Sequence, residues 1–341
     1  VGIIQKQTVR TTAISLVGTA VGAGSQLLFP FVFADQEQIG ALSVLNAVSR
    51  IFAITFALGF AQITLQVFSF FRSEKNGHAG FLLFGVIVSL VGALLGLLSF
   101  YLFHDYFIGV GPEYQLIRSI SYLIFPILFF RIFFTNLDPY LRMLFSSVFG
   151  ALWEGLILKI IILLAIILFW IGWIDYTYTA QLYAFALCLP GIAVIILSFL
   201  KTKPIIWPKK EHFTLEKRRG LISYGLFGIL GTASGVLVVS IDQVMVNKME
   251  GTDAAGVYSV LFFAGILISI PARGLKRIAV PVLAESWKKN DREEILNVYK
   301  KSVENQTVVA VYLFVTGWLC IGPALSFLPD YSHGLYVFFF I

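Results

Sequence analysis

Charge is what this sequence has least of. Only 13% of its 341 residues are Asp, Glu, Lys or Arg, about half the share that soluble domains carry, while 58% are hydrophobic and the mean hydropathy is +0.86. A soluble core of this size is excluded. Cysteine is scarce as well: Cys188 and Cys320 lie in apolar stretches with no partner spacing for a disulfide frame or a metal site, and they read as small packing residues. The four histidines, His78, His104, His212 and His333, fall between apolar runs, and no pair has zinc-ligand spacing. No Gly-x-x-x-x-Gly-Lys-Ser/Thr stretch is present to cradle ATP phosphates. No cofactor is implied, and any energy-requiring step would draw on a gradient or on product removal.

What is present is a succession of apolar stretches of about 20 residues, each able to span roughly 30 Å of hydrocarbon as a helix. Inside lipid every backbone N–H and C=O must be satisfied internally, so helices or a closed barrel are the choices. Runs such as Leu156 to Trp170 lack the alternation of a barrel strand. The class is therefore all-α and polytopic. Helices are expected over Thr11–Phe33, Ile39–Phe70, Ala79–Phe103, Leu116–Leu137, Ser147–Trp170 and Thr179–Leu200. After the polar linker they resume over Gly220–Val246, Ala255–Ala284 and Val303–Leu328, and Leu335 begins a tenth. The second of these is longer than a straight span needs and is expected to tilt or to extend past the membrane.

The net charge of +6 belongs to topology rather than to nucleic acid, because the basic residues sit in short loops between apolar runs. Lys6, Arg10, Arg72, Lys75 and Arg142 fall on one side, with seven more between Lys201 and Arg219 and seven between Lys276 and Lys301; the other side takes Arg118 and Lys248. The basic side is read as cytoplasmic, which puts the N-terminus inside and the protein in the cytoplasmic (inner) membrane. The first apolar run acts as an anchor rather than a cleaved signal. A chain that opens on Val1 and stops within an apolar run at Ile341 is expected to be a fragment lacking its final helices.

An offset of about 216 positions lays Ile39–Leu45 on Ala255–Leu261, with the Gly, Ser, Val and Leu coinciding. Helices 1 and 2 then correspond to helices 7 and 8. An even number of helices per unit gives parallel repeats about an axis along the membrane normal. The organisation expected is two pseudo-symmetric six-helix lobes, at 1–200 and 220–341, joined by a basic cytoplasmic linker at 201–219, with the second lobe cut short.

Two places carry a resemblance to a known family. One is the opening Gly2-Ile3-Ile4-Gln5-Lys6-Gln7 with Gln38-Ile39-Gly40 after helix 1. The other is Ser240-Ile241-Asp242-Gln243-Val244-Met245-Val246 followed by Ala255-Gly256-Val257-Tyr258-Ser259. In these, and in the order of its helices, the chain resembles the oligosaccharide flippase or polysaccharide biosynthesis family, within the superfamily that also holds multidrug extrusion and lipid II flippases. The resemblance implies twelve to fourteen helices in full and a polyprenyl-pyrophosphate-linked oligosaccharide as cargo. Glycan polymerase or glycosyltransferases would be the implied partners besides the bilayer. Gln243 departs from the pattern, which often has a basic residue after the helix 7 Asp.

A charge deep in the bilayer costs about 3 kcal/mol on insertion scales and usually faces a cavity or a partner. Arg50 lies roughly 16 Å down helix 2 and Lys159 at comparable depth in helix 5, with Glu154 before it. Arg50, Lys159, Arg131 and Arg273 are the candidates for a cationic cavity, since guanidinium groups donate paired N–H bonds to pyrophosphate oxygens. Lys159 is equally placed to neutralise Glu154, and Arg131 and Arg273 to snorkel to the cytoplasmic surface; Pro271 is placed to bend helix 8 near Arg273. Asp242, toward the outer end of helix 7, is a candidate to take up a proton or Na⁺, or to pair with Lys248. Asp138 and Arg142, one turn apart, read as a surface ion pair. Asp35-Gln36-Glu37 and Asp291-Arg292-Glu293 are the carboxylate clusters a membrane glycan enzyme would need, but loops collect such charges routinely. A multidrug or cation antiporter would prefer acids where this chain has bases.

Overall fold

The computed structural model describes residues 2–33, 35–71, 77–202, 215–266, 283, 286–287, 291–326 and 331. Among these it is helical throughout, with seven stretches long and apolar enough to cross a membrane. Two compact units divide at Gly256. The first holds α1 (Gly2–Val32), α2 (Gln36–Phe56), α3 (Phe60–Phe71), α4 (Phe81–Leu102), α5 (His104–Ile108), α6 (Gln115–Ile120) and α7 (Ile124–Met143). It continues with α8 (Ser147–Leu152), a π-helical turn (Trp153–Ile157), α9 (Leu158–Trp170) and α10 (Tyr176–Lys201). Helix α11 (Leu215–Ile266) folds at Gly251, whose φ of 90° breaks it into two arms, and the second unit begins within its second arm. In the second unit α12 runs over Arg292–Ser326. It starts well before the expected Val303 because the side chain of Asp291 caps its first turn through the Glu294 N–H at 3.0 Å. The linker expected at 201–219 lies mostly outside the described residues, as does the tenth helix expected from Leu335.

The first unit is arranged around α7. Its apolar side chains at helical spacing, Ile124, Ile127, Leu128, Ile132, Leu137 and Leu141, are fully buried, and α2, α3, α4 and α10 all pack on it. Lipid gives helices no hydrophobic reason to associate, so close backbone approach and polar contacts do the holding. A Cβ on Gly191 of α10 would fall 2.1 Å from the Phe130 carbonyl oxygen, and buried Asn136 of α7 donates to Ser89 of α4 at 3.1 Å. Phe60, Phe68, Phe81 and Tyr140 form an aromatic cluster with ring spacings of 5.2 to 6.3 Å. His78 joins it against Phe68 and is buried rather than looped out.

Helix 2 does not tilt through as one long rod. It breaks at Leu58 and Gly59, both at positive φ (55° and 65°), which interrupts the backbone ladder and makes α2 and α3 separate helices. A Cβ on Gly59 would meet the Gly225 carbonyl oxygen at 2.1 Å, so the break sits where α11 crosses. Helix 5 is also irregular: α1 lies so close that a Cβ on Gly18 would fall 1.7 Å from the Gly155 carbonyl oxygen, within the π-helical turn.

The internal repeat has a physical counterpart. A Cβ on Gly40 would fall 1.9 Å from the Thr252 carbonyl oxygen, and a Cβ on Gly256 would fall 2.1 Å from that of Gln36. These are the same contact seen from each side, since the repeat offset carries Gln36 to Thr252 and Gly40 to Gly256. Equivalent residues meeting reciprocally are the mark of a two-fold relation. Glycine is required on both helices because any side chain would strike backbone. Gly40→Ala and Gly256→Ala are each expected to cost about 1–3 kcal/mol by overpacking. Gly24→Ala and Gly231→Ala, where nothing lies within 4 Å, are expected to be neutral or stabilising by up to about 1 kcal/mol through helix propensity. Thermal unfolding of the purified protein in detergent reads both signs, and equal effects at the two kinds of position would refute the contact.

Candidate functional site

Between α2 and the α4–α5 corner runs an apolar groove of about 430 Å³, lined by Ile51, Phe52, Thr55 and Phe56 together with Ser99, Phe103, Tyr106 and Phe107. It continues the exposed stripe of Leu94, Leu95 and Leu98 on α4, and in a spanning chain such a face meets lipid. At 3.6 residues per turn, Arg50 lies at least about 100° around α2 from each of the four groove residues of that helix. It is exposed on the side of Asn46, on a different face of α2 from the groove.

Arg131 of α7 approaches the same side. It does not snorkel to the surface: Nη1 donates to the Asn46 carbonyl at 3.1 Å and to Ser49 Oγ at 2.7 Å, and Nη2 donates to Asn46 Oδ1 at 2.9 Å. Three bonds into α2 satisfy much of its fork and leave it half-buried. Arg50, Tyr183 and Cys188 of α10 and Glu154 of the π-helical turn all lie within Coulombic range of it. Glu154 in turn feels Asp138, Arg131, Arg142 and Arg50. Its side chain is exposed on the π-helical turn. Lys159, one turn farther along, is half-buried and lies across α1, its chain filling the space a Cβ on Gly22 would take.

The structure therefore brings Arg131 onto α2 within a turn of Arg50, with Glu154 within Coulombic range of both but in no ion pair with either, and Lys159 on the next turn of helix 5. Arg273 and Pro271 lie outside the described residues. Asp242 is half-buried in the first arm of α11; its neighbour Lys248 stands 3.2 Å from the centre of the Tyr106 ring. Asp138 and Arg142 do form an ion pair, but not a surface one, since Asp138 is only 2% exposed. Gly150 of α8 covers it, and a Cβ there would strike its Oδ1. Cys188 is buried as expected, whereas Cys320 is exposed on α12 and packs no core.

Sequence inspection missed Asn46, Ser49, Tyr183 and Cys188 as part of this cluster. Asn46 carried a usable signal, lying one turn before Arg50 on the same face. The other three are ordinary residues of apolar helices until folding places them beside a guanidinium.

At the far end of α2, Asp35, Glu37 and Asp253 bring carboxylate oxygens within 4.8 Å of one another. Burial, and then the charge of Asp35, push the Asp253 carboxyl above its ordinary value. Such hard oxygens suit Mg²⁺ or Ca²⁺, yet Asp35 and Asp253 are exposed and Glu37 already accepts the Leu116 N–H at 3.2 Å.

The family description "Polysaccharide biosynthesis protein" matches residues 8–287. The chain belongs to that family. Among solved structures, the fold is similar to one described as an inward-facing conformation of a multidrug resistance MATE family transporter of the MOP superfamily. The TM-score is 0.60 at 13% identity, over 97% of this chain and 75% of that one. At that identity the likeness speaks for the fold alone. No curated protein matches the chain. The expected family and all-α polytopic class are thus borne out.

For this member of the polysaccharide biosynthesis family, the two arginines have different duties. Arg131 ties α7 to α2, whereas Arg50 is presented outward. Arg131→Gln is expected to lower stability by about 2 kcal/mol through the loss of charge-assisted bonds in a low-dielectric setting, and Arg50→Gln to leave it nearly unchanged. Melting temperatures of the two purified variants in detergent test this; a larger loss for Arg50→Gln would reverse the assignment.

Proposed function

We propose that this protein is a flippase that carries a polyprenyl-pyrophosphate-linked oligosaccharide across the cytoplasmic membrane for surface polysaccharide synthesis. What supports this is the nearness of two arginines: Arg50 is exposed on α2 one turn from Asn46, where Arg131 is anchored, at a depth that residue counting puts near mid-membrane. Keeping two like charges together in a low-dielectric region is unfavourable without an anion to share. A pyrophosphate supplies that anion with bidentate acceptor geometry. Lys159 adds to the positive field, and Arg273 is proposed to contribute from helix 8.

In the proposed mechanism the headgroup crosses through a central chamber by alternating access of the two lobes, while the lipid tail stays in the bilayer. Its natural partners would be the glycosyltransferases and polymerase that supply and consume the cargo. Family membership and the transporter fold support carriage rather than catalysis. The multidrug character of the structural neighbour suggests a second possibility, a cation antiporter. The excess of bases over acids around Arg50 favours an anionic cargo instead.

In cells that depend on this protein for their surface glycan, Arg50→Gln combined with Arg273→Gln is expected to reduce surface polysaccharide at least about tenfold, since two charge-assisted contacts are lost, with membrane insertion intact. Normal glycan in that double variant, at normal protein level in the membrane fraction, would overturn the assignment.

A further inference from the structure

The apolar groove between α2 and the α4–α5 corner takes no part in the proposed function, since Arg50 lies on another face of α2. Its wall offers water little to hold. Among the residues lining it, Ile51, Phe52, Phe56, Phe103 and Phe107 carry no polar side-chain atom, and the Thr55 hydroxyl is spent on the Ile51 carbonyl at 2.8 Å. A water molecule needs two or more polar partners to stay in such a place. The chemistry of the wall, rather than its exposure, therefore fits a hydrocarbon chain, and its volume of about 430 Å³ is that of a small-molecule site.

A cation stands at the edge of this groove. The Nζ of Lys248, on the first arm of α11, lies 3.2 Å from the ring centre of the wall residue Tyr106. Its backbone is held there from the same corner: the Tyr114 hydroxyl donates to the Lys248 carbonyl at 3.1 Å, and buried Asn247 donates to the Ile108 carbonyl at 3.1 Å. Of the two basic residues on the side opposite the Lys- and Arg-rich loops, Arg118 is paired with Asp105 at 2.9 Å. Lys248 is in no ion pair among the described residues, neither with Glu113 of the corner nor with Glu250 two positions on.

We propose that the groove and Lys248 together bind an anionic membrane phospholipid, one acyl chain lying along the groove and the phosphate meeting the Lys248 ammonium. Charge complementarity selects this occupant. A hydrocarbon wall that ends at one ammonium without an acid partner matches an apolar chain joined to a phosphate, and a lysine at the membrane surface favours anionic lipid. Tyr106 stands at the junction, as amphipathic rings do where hydrocarbon meets headgroups. One bound lipid then joins α2, the α4–α5 corner and α11. The site is independent of the cargo reading, because the groove and Arg50 lie on different faces of α2.

The test is binding of dioleoyl phosphatidylglycerol and dioleoyl phosphatidylcholine, which share their chains and differ in net charge, to the purified full chain in detergent, read by native mass spectrometry. Wild type is expected to half-saturate with the phosphatidylglycerol at an about fivefold lower concentration. Lys248→Gln is expected to bring the two lipids level by weakening the anionic one alone, and Lys248→Arg to keep the preference. Thr55→Trp, which fills the groove from an exposed position, is expected to weaken both lipids about tenfold. Thr55→Phe replaces it if the Trp variant is not monodisperse, and the Lys248 variants decide if neither is. A wild type that does not distinguish the two lipids, or a preference that survives Lys248→Gln, would overturn the site. Unweakened binding in a monodisperse groove-filling variant would do the same, because the groove would then hold no chain. Tighter Lys248-dependent binding of geranylgeranyl pyrophosphate than of phosphatidylglycerol would make this a cargo site and overturn the phospholipid assignment.

Discussion

Arg131 does more to define this molecule than any apolar contact. Reaching from α7 into α2, it spends its fork on the Asn46 carbonyl, the Asn46 side chain and Ser49, and so fixes both the distance and the rotation between the two helices. Apolar packing alone would leave that rotation soft, because lipid solvates Leu and Phe faces as well as protein does. Once α2 is pinned at Asn46 and Ser49, Ile51, Phe52 and Thr55 line the apolar groove and Arg50 lies on another face of the helix. The orientation on which the proposed cargo site depends is thus set by a neighbouring charge that is itself largely satisfied.

Glycine performs the complementary task. Where Arg131 fixes rotation, Gly40 and Gly256 fix separation, letting the first turn of α2 touch the second arm of α11 backbone to backbone. The reciprocity of that contact ties together two properties otherwise unrelated, a weak repeat in the sequence and a close approach in space. Four coinciding small and apolar residues carry little weight as a sequence match. The Gly40–Gly256 contact carries much more, because a chance alignment has no reason to place Gln36 and Thr252 on opposite sides of it. Glu37 and Asp253 stand at the same offset, so the acidic group at this end is a consequence of the pairing.

Much of the fold was legible because bilayer thickness sets helix length and lipid forbids unpaired backbone. The helices over 79–103, 147–170 and 179–200 came within a few residues for that reason. What escaped were the interruptions. The break at Leu58 and Gly59 sits in an uninterrupted apolar run, and its cause, the passage of α11 over Gly59, is remote in sequence. The π-helical turn has no local signature at all, since it accompanies the approach of Gly18. Which face of α2 carries Arg50 relative to the apolar groove could not be had by counting residues and required the groove to be located first. Asp138 was misjudged as a surface acid because sequence gives position along a helix and not what packs over it; here Gly150 closes the site.

Taken together, the polar groups at mid-depth form a graded series. Arg131 is committed to structure, Asp138 is buried beneath Gly150 with its partner Arg142 exposed, and Arg50 and Glu154 are exposed. That division bears on which cargo the proposed carrier would take. A cation carrier needs its accessible charge to be acidic, and Glu154 alone would serve, but an exposed arginine beside it would repel the cargo at the same depth. For the anionic cargo proposed above, Arg50 would supply the attraction and Arg131 would reinforce the field while holding α7 to α2. For the proposed cargo the sign of Arg50 therefore weighs more than the count of charges, and it is positive.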